Sequence, residues 1–525
     1  MAEKRIWTET AASIRRTLTE NPKSSAYGPV TDAIQKAAKL GEKGIGGSLR
    51  NFNSMPQSTM VFANPVLYQT PVACDGAEMI LNIRSFGIRG VLQEGEIVAG
   101  SISPAHLIFV GLFGRKPEKI EDGLDEEAML QTLIDRKFYR SRRVTRDSVS
   151  GQSPLINQLA EFVKTFSTSG PEVVIQYFST LRKAHITKNR LPDRGVDDDR
   201  HPSTLLVEMI STHMENVAIG AMSVYMRRLL RQNTGLAAQA LAQQVDDFIS
   251  QEENSGKSAF QVAYSLLIGH HANDTESTIL EKMGLIQTHH GSAGSNMVAR
   301  YAATLHTEHV SDFLTAAHIT LDGARHFGAI HDMTHFINEL EHVPADEREE
   351  FIKTRLLGGG LPTFGHPEIA AAGRSNEIQQ DPRAAIYLES FFHAIDNGQI
   401  VLNAHQRERL NMIQRIYQIA FVEGVIKPGR ENSPPLRLTP NTDFGGWSVQ
   451  EGMGIEEEDR TLLTYIFRGF GWMMDAREQL QQRIIRPVIP PDPSVIPTPG
   501  EDTTVPDVVA AIHNRLAHGD AFAPQ

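Results

Sequence analysis

A mostly helical fold is predicted by three features of this 525-residue chain. Apolar residues recur at three- and four-residue steps over long stretches, strand signals are sparse, and polar or proline-rich runs separate the periodic segments. Single cores stop growing near roughly 250–300 residues, so a chain of this length is expected to divide into two domains. The best strand signal runs from Met79 to Val91, where β-branched and apolar residues are interrupted by Gly87 and Gly90. Next comes a basic run, Arg136, Lys137, Arg140, Arg142, Arg143 and Arg146, which reads either as a solvated face or as a phosphate-binding surface. Ser153 and Pro154, a cap followed by a proline suited to a first helical position, open an amphipathic helix carrying Leu155, Leu159, Phe162, Val163 and Phe166. Residues 184–201 are polar and unpatterned and should form an exposed loop. Residues 202–231 are apolar on most faces, as expected of a helix packed inside a helical domain. The run Glu456-Glu457-Glu458-Asp459 reads as a solvated helix start, and a helix follows from about Thr461 to Gln482. Residues 487–499 hold six prolines and should run extended, free or along a partner subunit.

Composition narrows the class. Hydrophobic content of 40% and charged content of 22% fit a soluble globular enzyme. A net charge of −12 disfavours nonspecific nucleic-acid binding, although a local basic pocket for a polyanionic ligand is compatible with it. Cys74 is the only cysteine, which excludes an intrachain disulfide or a cysteine-rich zinc site. No run of 18 apolar residues is present and the first residues lack a leader pattern, so a cytoplasmic location and no membrane partner are expected.

Asp443, His326 and His366 are the most informative candidates, each beside a turn-forming Gly or Pro. One carboxylate and two imidazoles suit carbon-acid chemistry: a base for a C–H proton and two hydrogen-bond donors for developing oxyanions. Taken alone, Asp443 in Pro440-Asn441-Thr442-Asp443 is equally a turn-capping residue. Eleven of the 20 histidines fall between His270 and His342. Among them His331 and His335 lie one helical turn apart beside Asp332, an arrangement resembling a zinc-hydrolase signature in which Asp replaces the catalytic Glu and no third ligand follows. No metal is therefore expected, and a zinc hydrolase is the remote alternative.

The order of motifs resembles the citrate synthase family. That family carries, in sequence order, a histidine in His-Ala-Asp-His-Glu, a histidine in Gly-Pro-Leu-His-Gly-Gly, a histidine in Pro-Gly-Phe-Gly-His followed by Asp-Pro-Arg, and an aspartate in Pro-Asn-Val-Asp. The matching positions here are His290, His326, His366 with Arg383, and Asp443. Phe467-Arg468-Gly469-Phe470-Gly471 and Arg486-Pro487 continue the likeness, and residues 80–89 followed by 111–117 are similar to the family's small N-terminal β-hairpin and first helices.

The resemblance implies a mostly α, two-domain fold with that hairpin: a large domain of residues 1–325 and 445–525, and a small one of 326–444. It implies that Asp443 removes the α-proton of an acyl-CoA thioester, that His326 stabilises the enolate oxygen, and that His366 polarises the ketone of oxaloacetate or a similar 2-oxo acid. Arg383 and Arg468 would hold substrate carboxylates, His290 would add a hydrogen bond, and Arg486 would enter the neighbouring subunit's site in an obligate homodimer. CoA enters as substrate, and no cofactor is implied. Citrate is the default product, with 2-methylcitrate or a longer alkylcitrate the second reading and a binding protein without turnover the third. The family pattern is altered at Ala324-Arg325-His326-Phe327-Gly328 and at Gln287-Thr288-His289-His290-Gly291, which bears on the acyl substrate more than on the reaction type.

Overall fold

The computed structural model describes residues 72–75, 78–83, 86–87, 103–113, 117–119, 125–142, 154–167, 170–185, 202–288, 294–304, 310–321, 328–358, 361, 363–364, 382–400, 402–427, 436–438 and 440–480. All of them fall within one compact unit. As expected, it is mostly α. The strand segments are short: β1 (Val72–Asp75), β2 (Glu78–Ile83) and β3 (Phe86–Gly87) pair antiparallel in that order, and β4 (Ile426–Lys427) pairs with β5 (Leu436–Arg437).

The helices follow in sequence. They are α1 (Pro104–Phe113), α2 (Glu126–Ser141), α3 (Leu155–Thr165), α4 (Pro171–His185), α5 (Pro202–Gln232), α6 (Ala238–Asn254), α7 (Ala259–Ile268) and α8 (Asp274–Gln287). Then come α9 (Gly294–Thr304), α10 (Val310–Leu321), α11 (Gly328–Glu341), α12 (Arg348–Gly358), α13 (Pro382–Asp396), α14 (Ala404–Tyr417), α15 (Thr442–Gly452) and α16 (Arg460–Leu480). Capping boxes start α7, α8 and α14: Ser258 with Gln261, Asn273 with Glu276, and Asn403 with Gln406 each satisfy two otherwise orphaned amides.

Two helices organise the core. The 31 residues of α5 span roughly 46 Å at the α-helical rise. In α16, every residue from Arg460 to Ala476 is buried. Such a helix cannot rely on an amphipathic stripe; it must be covered on every side, and it is packed against α4, α5, α8, α9 and α10. Small residues allow the close approach. Gly111 on α1, Gly220 on α5 and Gly284 on α8 leave room for Met474, Leu462 and Phe467 of α16, and Gly469 of α16 leaves room for the ring of His213 on α5.

Several expectations are corrected. The helix after Ser153 starts one residue later than the cap signal suggests, with Pro154 at the N-cap position and no side-chain cap. Its Phe166 lies past the last turn, half exposed, where it joins Phe162 and Tyr177 in a ring cluster. Residues 184 and 185 close α4 instead of opening a loop; the rest of that stretch, like residues 487–499, lies outside the described residues. The acidic run is not simply solvated. Asp459 is buried against Arg227 of α5, while Glu456 and Glu458 pair with Arg231 and Glu457 meets His331 at 2.8 Å. Arg142 of the basic run is buried too, paired with Asp246 at 3.0 Å and Glu253 at 2.5 Å, so this cation serves packing between α2 and α6 rather than phosphate binding. Arg136 and Arg140 are exposed, as a solvated face requires. No helix among the described residues is long and apolar enough to cross a membrane.

Candidate active site

Helix α15 presents the candidate base. Pro440 cannot donate an amide, and the next residue, Asn441, takes the N-cap position: its Oδ1 accepts from the amides of Asp443 (2.9 Å) and Phe444 (3.2 Å). Capping therefore belongs to Asn441, which corrects the reading of Asp443 as the turn cap. Asp443 is the second residue of α15, half-buried in a first turn where the helix dipole favours an anion. Asn441→Ala is expected to cost about 1 kcal/mol of stability, measured as a lower urea midpoint, and to loosen Asp443's backbone.

The same turn holds the chain that leads to His366. The Asn441 amide donates to the Thr363 carbonyl at 3.0 Å, Phe364 forms an isolated antiparallel bridge with Pro440, and the Phe364 and Phe444 rings sit 4.8 Å apart. Two motifs separated by about 75 residues in sequence are thus tied together by main chain and packing. Helix α13, which starts at Pro382 with Arg383 as its second residue, packs on α15. Helix α11, which starts two residues after His326, also packs on α15, with Trp447 Nε1 donating to Thr334 Oγ1 at 3.1 Å.

Arg468 is turned inward, not snorkelling. It is 5% exposed; its Nε donates to the carbonyl of Gln287, the last residue of α8, at 2.6 Å, and Nη1 reaches Asn296 Oδ1 at 3.5 Å. Asn296 in turn donates to Asp475 at 2.6 Å, and Asp475 pairs with Arg300, both fully buried. This network joins α8, α9 and α16 on both sides of the segment containing His290.

Of the residues named from sequence, Asp443 and Arg468 are placed with their side chains, and Arg383 is placed by its backbone. His290, His326, His366 and Arg486 lie outside the described residues. Asn441, Asn296, Arg300 and Asp475 were missed. Asp475 carried a usable signal, since an acid inside Trp472-Met473-Met474-Asp475-Ala476 on an apolar helix demands a buried partner. At the alternative zinc site, Glu457 occupies His331 Nδ1 and His335 is exposed; among the described residues no group of three or more metal-ligating side chains is gathered.

The fold and site together define a large helical protein in which an acid at a helix N-terminus and a buried arginine belong to consecutive, largely buried helices. The chain belongs to the citrate synthase family: the family's C-terminal domain matches residues 150–488. Solved structures agree in fold. Citrate synthase from Pyrobaculum aerophilum is 16% identical with a TM-score of 0.52, over 80% of this chain and 88% of that one. Citrate synthase from Thermotoga maritima is 14% identical with a TM-score of 0.50, over 80% and 90%. No curated protein matches the chain.

Proposed function

We propose that this protein condenses an acyl-CoA with oxaloacetate, giving citrate or a 2-alkylcitrate and free CoA. The observation that carries the reading is the tie between Thr363–Phe364 and Pro440–Asn441, which brings the segment leading to His366 against the turn that presents Asp443. In the proposed reaction Asp443 takes the α-proton of the thioester, and His326 hydrogen-bonds the enolate oxygen as charge develops there. The enol carbon then bonds to the ketone carbon of oxaloacetate, whose oxygen, polarised by His366, becomes a hydroxyl. Water finally cleaves the thioester, leaving a carboxylate and the CoA thiol. Arg383, Arg468 and His290 hold the oxo acid, and Arg486 reaches across from a second subunit. CoA is a substrate, and no cofactor enters the scheme.

The division into a large domain (1–325 and 445–525) and a small one (326–444) belongs to the same reading. It places Asp443 and His326 at the two chain crossings, so that closure would assemble the site and exclude water. The paired strands β1 and β2 are taken as the family's hairpin. Acetyl-CoA giving citrate is the default and a longer acyl chain the second reading; Phe327, a ring beside His326 where the family has glycine, fills space there and so bears on which acyl group is accepted.

Assembly as a homodimer is supported by exposed apolar side chains on three adjoining helices: Val173 and Tyr177 on α4, Tyr301 on α9 and Ile319 on α10. Light scattering is expected to give twice the chain mass, and Tyr177→Asp with Ile319→Asp to shift it toward one chain. An unchanged mass in that variant would remove this face from the interface.

The test of function is thiol release with oxaloacetate and acyl-CoAs of increasing chain length. Release with any of them supports condensation and identifies the acyl group. No release, with oxaloacetate still raising the melting temperature, would instead leave a binding protein on the same fold.

A further inference from the structure

Gln287 stands where the candidate residues meet. It ends α8, three residues before His290, and it is buried. Its main-chain carbonyl accepts from Arg468 Nε at 2.6 Å, and its side-chain Oε1 accepts from Thr464 Oγ1 at 2.9 Å. Thr464 and Arg468 are four residues apart on α16 and so share one face. The third atom, Nε2, lies 3.1 Å from where a Cβ at position 446 would stand. Gly446 is three residues beyond Asp443 on α15, about 4.5 Å along the axis.

One residue at the end of α8 therefore touches both the helix bearing Asp443 and the helix bearing Arg468. Gly446 makes the approach possible, because any side chain there would crowd Nε2. A second amide borders the same glycine: Gln450 is fully buried, with Nε2 at 3.9 Å from that Cβ position and neither amide atom hydrogen-bonded among the described residues. An apolar residue at 287 would fill the same space without the penalty of burying an amide. What it could not do is set the rotation of α8's last turn against α16.

We infer that Gln287 is a positioning residue for the oxo-acid subsite, orienting Arg468 relative to Asp443 through its bond to Thr464. The inference rests on the proposed condensation and names a determinant within the same site. Loss of the bond should weaken oxo-acid binding and leave proton abstraction by Asp443 nearly intact.

The experiment compares Gln287→Leu, Thr464→Val, their double variant and Gln287→Glu, which keeps an oxygen to accept from Thr464. Gln287→Leu and Thr464→Val are each expected to raise the KM for oxaloacetate roughly tenfold with kcat within about threefold. The double variant should be no worse than either single, because one bond is lost in all three, and Gln287→Glu should recover most of the affinity. Thr464→Val removes the bond from the other helix with little change of shape, so misfolding of one variant does not decide the result. An active enzyme whose variants lose only melting temperature, or lose kcat with KM unchanged, would overturn the inference and leave the condensing function standing. Without thiol release from the parent protein, calorimetric affinity for oxaloacetate replaces KM, with the same roughly tenfold weakening expected. If the parent does not bind oxaloacetate either, both readings fall.

Discussion

Replacing Asp443 with asparagine is expected to lower CoA-thiol release about 10²–10⁴-fold, the usual contribution of a positioned general base, while oxaloacetate binding is retained. Asparagine preserves the shape of the residue in the first turn of α15 but cannot take a proton from carbon. The helix start should survive, because Asn441 Oδ1 and not Asp443 accepts the amides of residues 443 and 444. The melting temperature should therefore change little, and oxaloacetate should still raise it. Thiol release within a few-fold of the parent would remove Asp443 from the mechanism, and with it the role proposed for the turn that joins Pro440 to Phe364. Loss of both oxaloacetate binding and stability would instead make the residue structural.

The second large effect is the contribution of two buried histidines to the pH dependence of stability. His213 on α5 and His318 on α10 are completely buried and flank Tyr465 of α16, with ring centroids 5.0 and 4.2 Å from it. Burial pushes His213 down to about 4, against a main-chain contact to Ile466 that favours the charged form. Burial, with His213 nearby, pushes His318 down to about 3. Both are neutral in the folded protein at neutral pH. Below an ordinary histidine value near 6.5 the unfolded chain gains these protons and the folded chain does not, so stability is full above pH 6.5 and is lost as pH falls toward 4. Between pH 7 and pH 5 the two together should cost on the order of 4 kcal/mol. Glu281, lifted by burial to about 7, and Asp459, lifted to about 6 by burial that outweighs the attraction of Arg227, act in the opposite direction and by the same accounting offset most of that cost, so the net pH dependence of the parent protein over this range is expected to be small. The pair is isolated by comparing variants: His318→Phe, which keeps the ring contact, should reduce the slope of unfolding free energy between pH 6.5 and 5 by about 1 kcal/mol per pH unit. An unchanged slope would mean that His318 is hydrated, or protonated alike in both states.

Helix α5 shows why much of the fold was legible from the chain. Its apolar residues leave no polar face wide enough for a surface helix, and Pro202 and the stop after Gln232 bound it within a residue of the expected span. Helix α16 was legible for the same reason. At α3 the periodicity found the helix, but the cap did not, because Pro154 can serve as N-cap or first residue and only the path of the preceding chain decides. The acidic run before α16 was misread because a string of four acids looks solvated locally. Arg227 and Arg231, more than 200 residues upstream, are what draw it against α5.

The site divides along the same line. Order and residue type along the chain nominated Asp443, Arg468 and Arg383 as candidates, through the resemblance of the motif order to the citrate synthase family. Of the residues packed around them, only Asp475 carried a signal in the sequence, and its partners were not readable. Asn296, Arg300 and Asp475 act only as a buried set, and Gln287 has meaning only beside Gly446 and Thr464. By itself, then, the sequence determined the helical class and the long central helices and named the candidates for the site, because these depend on periodicity and side-chain chemistry carried by each segment. Tertiary structure alone decided which polar groups are buried together and which turn meets which, because the cost of burying a charge or an amide is set by partners that the chain brings up from hundreds of residues away.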